Sequence, residues 1–259
     1  MHLPRQLCFI NETMAKRIKG ILFDLGDTLL NFGKVDIPGL FEGGARLAYE
    51  YLQQLGLDLP SFARFHRQQL WAIRWNYFKS RFTRREFNSL EVLGHLSRRM
   101  GHALTKEQTL ELAWLWYEPL SRCATVEEGV GPMLEGLRAC GMSLGIVSNT
   151  FVPGEVLDRH LAQAGLLEYL PVRVYSCDVS VRKPQAEIFR IALDRAGLAA
   201  DETMFVGDSL VADVKGSKRL GMISVLKDPA GRYGDDAAAA DHHVGRLSEL
   251  AAIVAEYNR

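Results

Sequence analysis

The chain has 259 residues, 47% of them hydrophobic, and its 31 basic and 31 acidic residues give a net charge of zero. This length and composition are enough to bury a full core, which argues against a disordered chain. No apolar run approaches the roughly 18 residues that cross a bilayer. A neutral chain also lacks the global basic field that attracts nucleic acid or anionic lipid. The sequence therefore predicts that the partner is a small molecule and that the protein binds neither nucleic acid nor a membrane. We expect a monomer or a homodimer.

The first 16 residues show no apolar period and are predicted to be an N-terminal extension. Met14 offers a second plausible start, which would make residues 1–13 a start-site artefact. The N-terminus lacks the apolar stretch of a secretory signal, and the four cysteines are widely spaced with no C-x-x-C pair. These features favour a cytoplasmic protein with reduced thiols.

Short apolar runs alternate with longer helical patterns through most of the chain, which is typical of a parallel sheet covered by helices. The predicted strands are 18–24, 143–148, 172–176, 203–208, 222–226 and a short one near 242–245. The predicted helices are 130–140, 154–164, 184–196, 211–220 and 247–257. We therefore expect an α/β fold, a Rossmann-like three-layer core with a mainly parallel sheet, formed by residues 17–40 and 126–259.

Residues 41–125 interrupt this rhythm, because aromatic and leucine residues recur there at helical spacing without strand alternation. This segment is predicted to be an inserted all-helical domain. It holds all four tryptophans, most of which we expect in its core. The stretch 74–85 is strongly basic; it is either a solvated helix face or the source of one or two side chains that bind the far end of an anionic substrate.

Polar side chains follow four of the predicted strands: Asp24, the pair Ser148-Asn149, Lys183 and Asp208. Ligands of open parallel sheets bind beyond the carboxyl ends of the strands, so these groups should share one crevice. Acids at two adjacent strand ends suit Mg²⁺, and a lysine with a hydroxyl suits an anionic substrate. Each residue alone fits an ordinary cap or turn. Their joint order favours a phosphoryl-transfer site with Asp24 as nucleophile.

Four segments resemble the sequence motifs of the haloacid dehalogenase superfamily, chiefly its phosphatase branch: FDLGDTL (23–29), IVSNT (146–150), RKP (182–184) and FVGDSLVAD (205–213). The resemblance covers the core, about two-thirds of the chain. The helical insertion lies where many members of the superfamily carry an α-helical cap domain.

The resemblance implies a mechanism for this chain. Asp24 would attack phosphorus and form an aspartyl-phosphate, which water then hydrolyses. The cofactor would be Mg²⁺, held by Asp24, the backbone carbonyl of Gly26, Asp208 and Asp213. The substrate, a small phosphorylated metabolite, would be bound by Ser148, Asn149 and Lys183, with Lys183 offsetting the charge that gathers on the nucleophile and the phosphoryl group.

The first motif departs from the usual D-x-D-G-T pattern of the superfamily, in which the second Asp protonates the leaving group. This chain has Gly26 there and an acid one place later, at Asp27. Three explanations stay open: Asp27 serves as the acid, the substrate has a leaving group that needs no protonation, such as an acyl phosphate or phosphoanhydride, or the protein is a catalytically weak binding protein. A haloacid-type dehalogenase is a further alternative, distinguished by metal-free halide release.

Overall fold

A six-stranded sheet forms the centre of the protein. A computed structural model describes residues 17–83, 85–99 and 101–259, so the predicted extension 1–16 lies outside the described residues. The strands are β1 Gly20–Phe23, β2 Ser143–Ser148, β3 Val172–Tyr175, β4 Thr203–Gly207, β5 Ile223–Lys227 and β6 His242–Val244. They lie in the order β3-β2-β1-β4-β5-β6, and all neighbouring pairs are parallel. This arrangement confirms the predicted α/β, Rossmann-like fold.

Helices cover both faces of this sheet and also form a separate group between β1 and β2. The helices are α1 Ile37–Gln54, α2 Phe62–Thr83, α3 Ser89–Arg99, α4 Lys106–Ser121, α5 Val130–Ala139, α6 Gly154–Gln163, α7 Ser176–Val179, α8 Ala186–Ala196, α9 Lys215–Lys218 and α10 Leu250–Tyr257. Successive strand residues point to opposite faces. In β1, Leu22 accordingly packs in the cluster that contains α8, while Ile21 and Phe23 pack in the cluster that contains α5, α6 and α10.

Helices α1 to α4 form one unit, here called the helical insertion. Its first helix begins at Ile37, four residues before the predicted boundary at 41, and its last ends at Ser121. Gly44 on α1 lies against the backbone of Trp116 on α4, where a Cβ would collide with the Trp116 carbonyl. The absence of a side chain at Gly44 therefore allows these two helices to pack closely. None of the described helices combines the length and the apolar character needed to cross a membrane.

Three predicted helices differ from the structure at their first turns. The predicted helix 211–220 is instead a π-helical turn, Leu210–Val214, followed by the short α9, and the amide of Val214 donates to the Ser209 carbonyl at 3.1 Å. The helix predicted from residue 184 begins at Ala186, after a cis Lys183–Pro184 bond. The last helix is preceded by a 3₁₀ turn, Leu247–Glu249. The widened π turn matters most, because it contains Asp213.

Candidate active site

Asp24 lies at the carboxyl end of the central strand, where the order of the sheet reverses. All four residues of β1 are buried, and β1 pairs with β2 on one side and β4 on the other. The amide of Asp24 donates to the Val206 carbonyl at 2.8 Å, which fixes its backbone to β4. Only 8% of Asp24 is exposed. Such a switch point is the usual ligand crevice of an open α/β sheet.

Lys183 joins Asp24 to a second carboxylate. Its Nζ lies 2.5 Å from Asp24 Oδ1 and 2.7 Å from Asp213 Oδ1, and all three side chains are buried. Burial raises the pKa of Asp24 to about 7; Lys183 opposes this shift and Asp213 adds to it. Burial lowers the pKa of Lys183, but the charges of Asp213 and Asp24 outweigh it and hold the amine protonated. The protonated amine of Lys183 thus lies between the carboxyl groups of Asp24 and Asp213.

Three carboxyl groups lie close enough to bind one cation. Each of Asp24, Asp208 and Asp213 offers an oxygen within 4.8 Å of the others. Burial raises the pKa of Asp208, and the charge of Asp213 adds to the shift. Hard divalent cations such as Mg²⁺ prefer oxygen ligands of this kind, so the donor set fits the predicted metal. The role predicted for the Gly26 carbonyl as a further ligand stays a prediction.

The turn after β4 explains how Asp213 reaches this cluster. Its Oδ2 accepts a hydrogen bond from the Ser209 amide at 2.9 Å. A Cβ at position 207 would overlap the Asp213 carboxyl group, so glycine is required there for the approach. The π turn and Gly207 together fold the acid of the fourth motif back against the strand end.

Asp208 is held from the other side by the loop after β5. Arg232 Nη2 lies 3.1 Å from Asp208 Oδ2, and the Tyr233 hydroxyl donates to the Asp208 carbonyl at 3.0 Å. Asp228 supports both residues, because it accepts from Arg232 Nε at 3.3 Å and from the Tyr233 amide at 3.1 Å. Sequence analysis missed this loop, whose residues follow no motif.

Asn149 is engaged with the backbone of Lys183. Its Oδ1 accepts from the Lys183 amide at 2.7 Å, and its Nδ2 donates to the Lys183 carbonyl at 3.0 Å. The structure therefore gives the Asn149 side chain a positioning contact that the sequence did not predict, beside the substrate contact that was expected. Ser148 is buried at the end of β2, next to β1, and its expected contact with a phosphoryl group stays a prediction.

Asp27 bonds within its own loop. It is exposed, its backbone is left-handed with φ of 55°, and its Oδ1 accepts from the Phe32 amide at 3.2 Å. Aspartate tolerates this conformation better than most residues do. At Gly26, by contrast, a Cβ would meet only the Phe32 ring, at 3.8 Å, so a Cβ fits at this position.

Lys227 is a further buried lysine that the sequence did not single out. Its Nζ donates to the Thr28 carbonyl at 2.8 Å and to Asn31 Oδ1 at 3.0 Å, and Glu127 lies 3.5 Å away. Burial lowers the pKa of Lys227, with Glu127 opposing the shift. The amine thereby ties the loop that carries Asp24 to the end of β5.

A cleft of about 680 Å³ lies between the helical insertion and the candidate site. Its lining includes Tyr77 and Ser80 of α2 together with Arg182, Lys183 and Arg219 of the core. This places part of the helical insertion over Lys183.

The loop after α2 docks onto the core beside this cleft. Glu86 lies 3.7 Å from Arg182 and accepts from the Ser176 hydroxyl at 3.3 Å, while Phe87 stacks on Phe151. The helical insertion is thus held against the core by an ion pair, a hydrogen bond and a ring contact.

The structure places several residues of the helical insertion whose role the sequence left open or whose burial it predicted. Arg74, from the basic stretch 74–85, lines a separate groove beside Trp71 rather than the cleft. The prediction that most tryptophans are core residues is wrong for Trp71 and Trp75, which are 65% and 54% exposed. It is confirmed for Trp114, which is 4% exposed. Helical spacing alone cannot tell which face of a helix will be covered.

The chain is similar to known proteins over nearly its full length. The family model described as haloacid dehalogenase-like hydrolase matches residues 18–221. The ribulose-1,5-bisphosphate 5-phosphatase of Halopiger xanaduensis is 30% identical and aligns over 90% of this chain and 98% of its own. The crystal structure of a HAD phosphatase from Thermococcus onnurineus is 28% identical, with a TM-score of 0.59 over 92% of this chain and 98% of its own. A 2-haloacid dehalogenase from Pseudomonas syringae shares the fold, with 23% identity and a TM-score of 0.62 over 93% of this chain and 99% of its own.

Proposed function

Because the chain belongs to the haloacid dehalogenase-like hydrolases, we propose that it is a Mg²⁺-dependent phosphatase that cleaves a small phosphorylated metabolite. The observation that carries this proposal is the buried arrangement of Asp24, Lys183 and Asp213, with Asp208 beside them. A nucleophile, a fixed positive charge and a set of oxygen ligands for a hard cation are the groups that phosphoryl transfer requires.

Asp24 is the proposed nucleophile. Its carboxylate oxygen forms a bond to phosphorus as the bond from phosphorus to the leaving oxygen breaks, which produces an aspartyl-phosphate. Attack of water on that phosphorus releases phosphate and restores Asp24. The buried position of Asp24 excludes competing water from the first step, and its fixed backbone keeps the oxygen aligned.

Lys183 and Ser148 are proposed to bind the phosphoryl group. The amine lies within hydrogen-bond distance of the attacking carboxylate, so it offsets negative charge on both partners of the reaction. Asn149 holds the Lys183 backbone in place. When bound to Asp24, Asp208, Asp213 and the Gly26 carbonyl, Mg²⁺ would supply further positive charge that favours the carboxylate form of Asp24.

The leaving group is proposed to be a good one, as in an acyl phosphate or a phosphoanhydride. Position 26 carries no acid, and the Asp27 carboxylate is exposed and accepts a hydrogen bond from Phe32. A residue in this position is poorly suited to protonate a leaving oxygen above Asp24. These contacts favour a substrate whose leaving group needs no protonation over a role for Asp27 as the general acid.

The test is a phosphate-release assay with acetyl phosphate, p-nitrophenyl phosphate and an alkyl phosphate, with and without Mg²⁺. The variants are Asp24→Asn and, as a matched control, Asp194→Asn at an exposed position on α8. We expect Mg²⁺-dependent release by the wild type and by the control, and none by Asp24→Asn. Acid quenching with acetyl phosphate labelled in its phosphoryl group should trap label on the wild type and on the control, but not on Asp24→Asn.

Three results would contradict the proposal. Phosphate release by Asp24→Asn at the wild-type rate would exclude the covalent step. Halide release from a 2-chloro acid without metal, in the absence of any phosphatase activity, would identify a dehalogenase instead. If neither substrate class reacts, the protein is a binding protein of the same fold.

A further inference from the structure

An uninterrupted row of aromatic side chains lies on the outside of α2. This aromatic row consists of Trp71, Trp75, Phe78 and Phe82, which are 65%, 54%, 55% and 73% exposed. Neighbouring ring centroids are 5.8, 6.2 and 4.7 Å apart. Positions four, seven and eleven residues after the first fall on one helical face, so the row runs about 17 Å along the axis. An exposed apolar strip of this size usually marks an interaction surface.

The aromatic row faces away from the catalytic cleft. The side chains half a turn away on α2 are buried or line the cleft: Phe65, Gln69 and Ile73 are buried, and Ser80 is both buried and part of the cleft lining. Successive helical residues are rotated by about 100°, which places these residues roughly opposite the row. The row is therefore not explained by substrate binding or by packing on the core.

Basic side chains flank the aromatic row. Arg64, Arg67, Arg74 and Lys79 of α2 are all exposed. The sequence of α2, residues 62–83, contains no Asp or Glu. The net charge of the whole chain is zero, but the outer side of α2 is strongly positive. Two copies of this face would repel each other, which argues against a symmetric pairing of α2 with α2.

We propose that the outer face of α2 binds peripherally to membrane surfaces that contain anionic lipids. Aromatic side chains insert at the level of the lipid headgroups, and flanking Arg and Lys residues are attracted by anionic lipid. A single convex ridge enters a planar interface without needing a complementary groove, which a protein partner would have to supply. Bound in this way, the protein lies on the membrane with its cleft open to solvent. The prediction of no membrane partner rested on the zero net charge and on the lack of a membrane-spanning apolar run; neither excludes peripheral binding by this local surface.

The test is a flotation assay with vesicles of phosphatidylcholine, with or without phosphatidylserine, at low and high salt. Trp71→Ala/Trp75→Ala removes half of the row, and Arg74→Glu reverses one flanking charge. The matched controls are Leu55→Ala, an exposed apolar residue at the end of α1, and Arg190→Glu, an exposed arginine on α8. Retained phosphatase activity and circular dichroism verify folding of each variant.

We expect the wild type to float with phosphatidylserine vesicles at low salt and to be released at high salt. Both α2 variants should lose at least about tenfold in vesicle affinity, whereas both controls keep it. Failure of the wild type to bind, or equal binding by the α2 variants, would overturn the proposal. A wild-type dimer that dissociates in Trp71→Ala/Trp75→Ala would also overturn it, because the row would then contact a second copy.

Discussion

Exchanging Gly26 and Asp27 should give the protein a general acid two residues after Asp24, where the proposed function has none. The double variant Gly26→Asp/Asp27→Gly places a carboxylate two residues after Asp24 and a glycine at the left-handed position. The structure permits both changes, because a Cβ at position 26 has only the Phe32 ring near it, at 3.8 Å, and φ of 55° at position 27 suits glycine.

The magnitude of this change follows from the leaving group. A positioned general acid contributes ~10²- to 10⁴-fold, which lowers the barrier by about 3 to 5 kcal/mol. For an alkyl phosphate we expect kcat/KM to rise by at least about 10²-fold, and for acetyl phosphate to stay within about threefold. Stability should change little. The variant loses the bond from Phe32 to Asp27, worth about 1 kcal/mol, and gains about as much from glycine in the left-handed region.

The assay is steady-state phosphate release from both substrates by the wild type, the double variant, Asp27→Gly and Asp27→Asn. The two single variants should match the wild type on both substrates. The reasoning is refuted if Asp27→Asn abolishes hydrolysis of the alkyl phosphate while the double variant shows no gain, because Asp27 would then be the acid despite its place in the loop.

Two further predictions concern residues that support the site, and a third concerns a buried histidine away from it. Asn149→Ala removes both hydrogen bonds to the Lys183 backbone, so kcat should fall by about 10- to 100-fold. The unfolding free energy should fall by less than about 3 kcal/mol. An unchanged kcat would exclude the positioning role. Lys227→Met removes the buried donor that binds the loop after β1. The unfolding free energy measured by urea titration should fall by about 2 to 3 kcal/mol. A loss below about 0.5 kcal/mol would contradict this account. His160 is buried beside the Tyr117 hydroxyl, 2.9 Å from Nδ1, and burial lowers its pKa below the ordinary 6.5. The unfolded chain therefore binds the proton first, so the stability from neutral His160 is complete above about pH 6.5 and is lost as the pH falls below it; His160→Gln should flatten that decline in urea titrations.

Burial explains which parts of the fold the sequence predicted. Strands of a parallel sheet covered on both faces read as short apolar runs, and the glycines that end the helices separate them. Asp24, Lys183 and Asp208 were predicted to meet because each follows such a run, and parallel strands end at one edge of the sheet. Asp24 and Lys183 are in contact, and Asp208 lies beside Asp24 among the three carboxyl groups that could bind a cation.

Contacts between distant loops were not predictable in this way. Lys227 reaches Thr28 across 199 positions, and Arg232 reaches Asp208 from a loop without any periodic signal. Asn149 looked like a ligand residue because its type and place in the motif suit both roles, and only its distances to Lys183 reveal the backbone contact. Local pattern determines burial and strand ends, whereas the pairing of side chains depends on how the loops meet in three dimensions.

The central place of β1 also affects how the protein is made. On one side β1 pairs with β2, and Gly20 lies opposite Ser143; on the other it pairs with β4, and Gly20 lies opposite Thr203. At about 5 to 20 residues per second, a ribosome needs roughly 10 to 40 s after β1 to synthesise β4. Throughout that time β1 lacks β4 as a neighbour, and its apolar residues stay available for incorrect pairing. We therefore expect slow or chaperone-dependent maturation, with the active site among the last parts of the nascent chain to form.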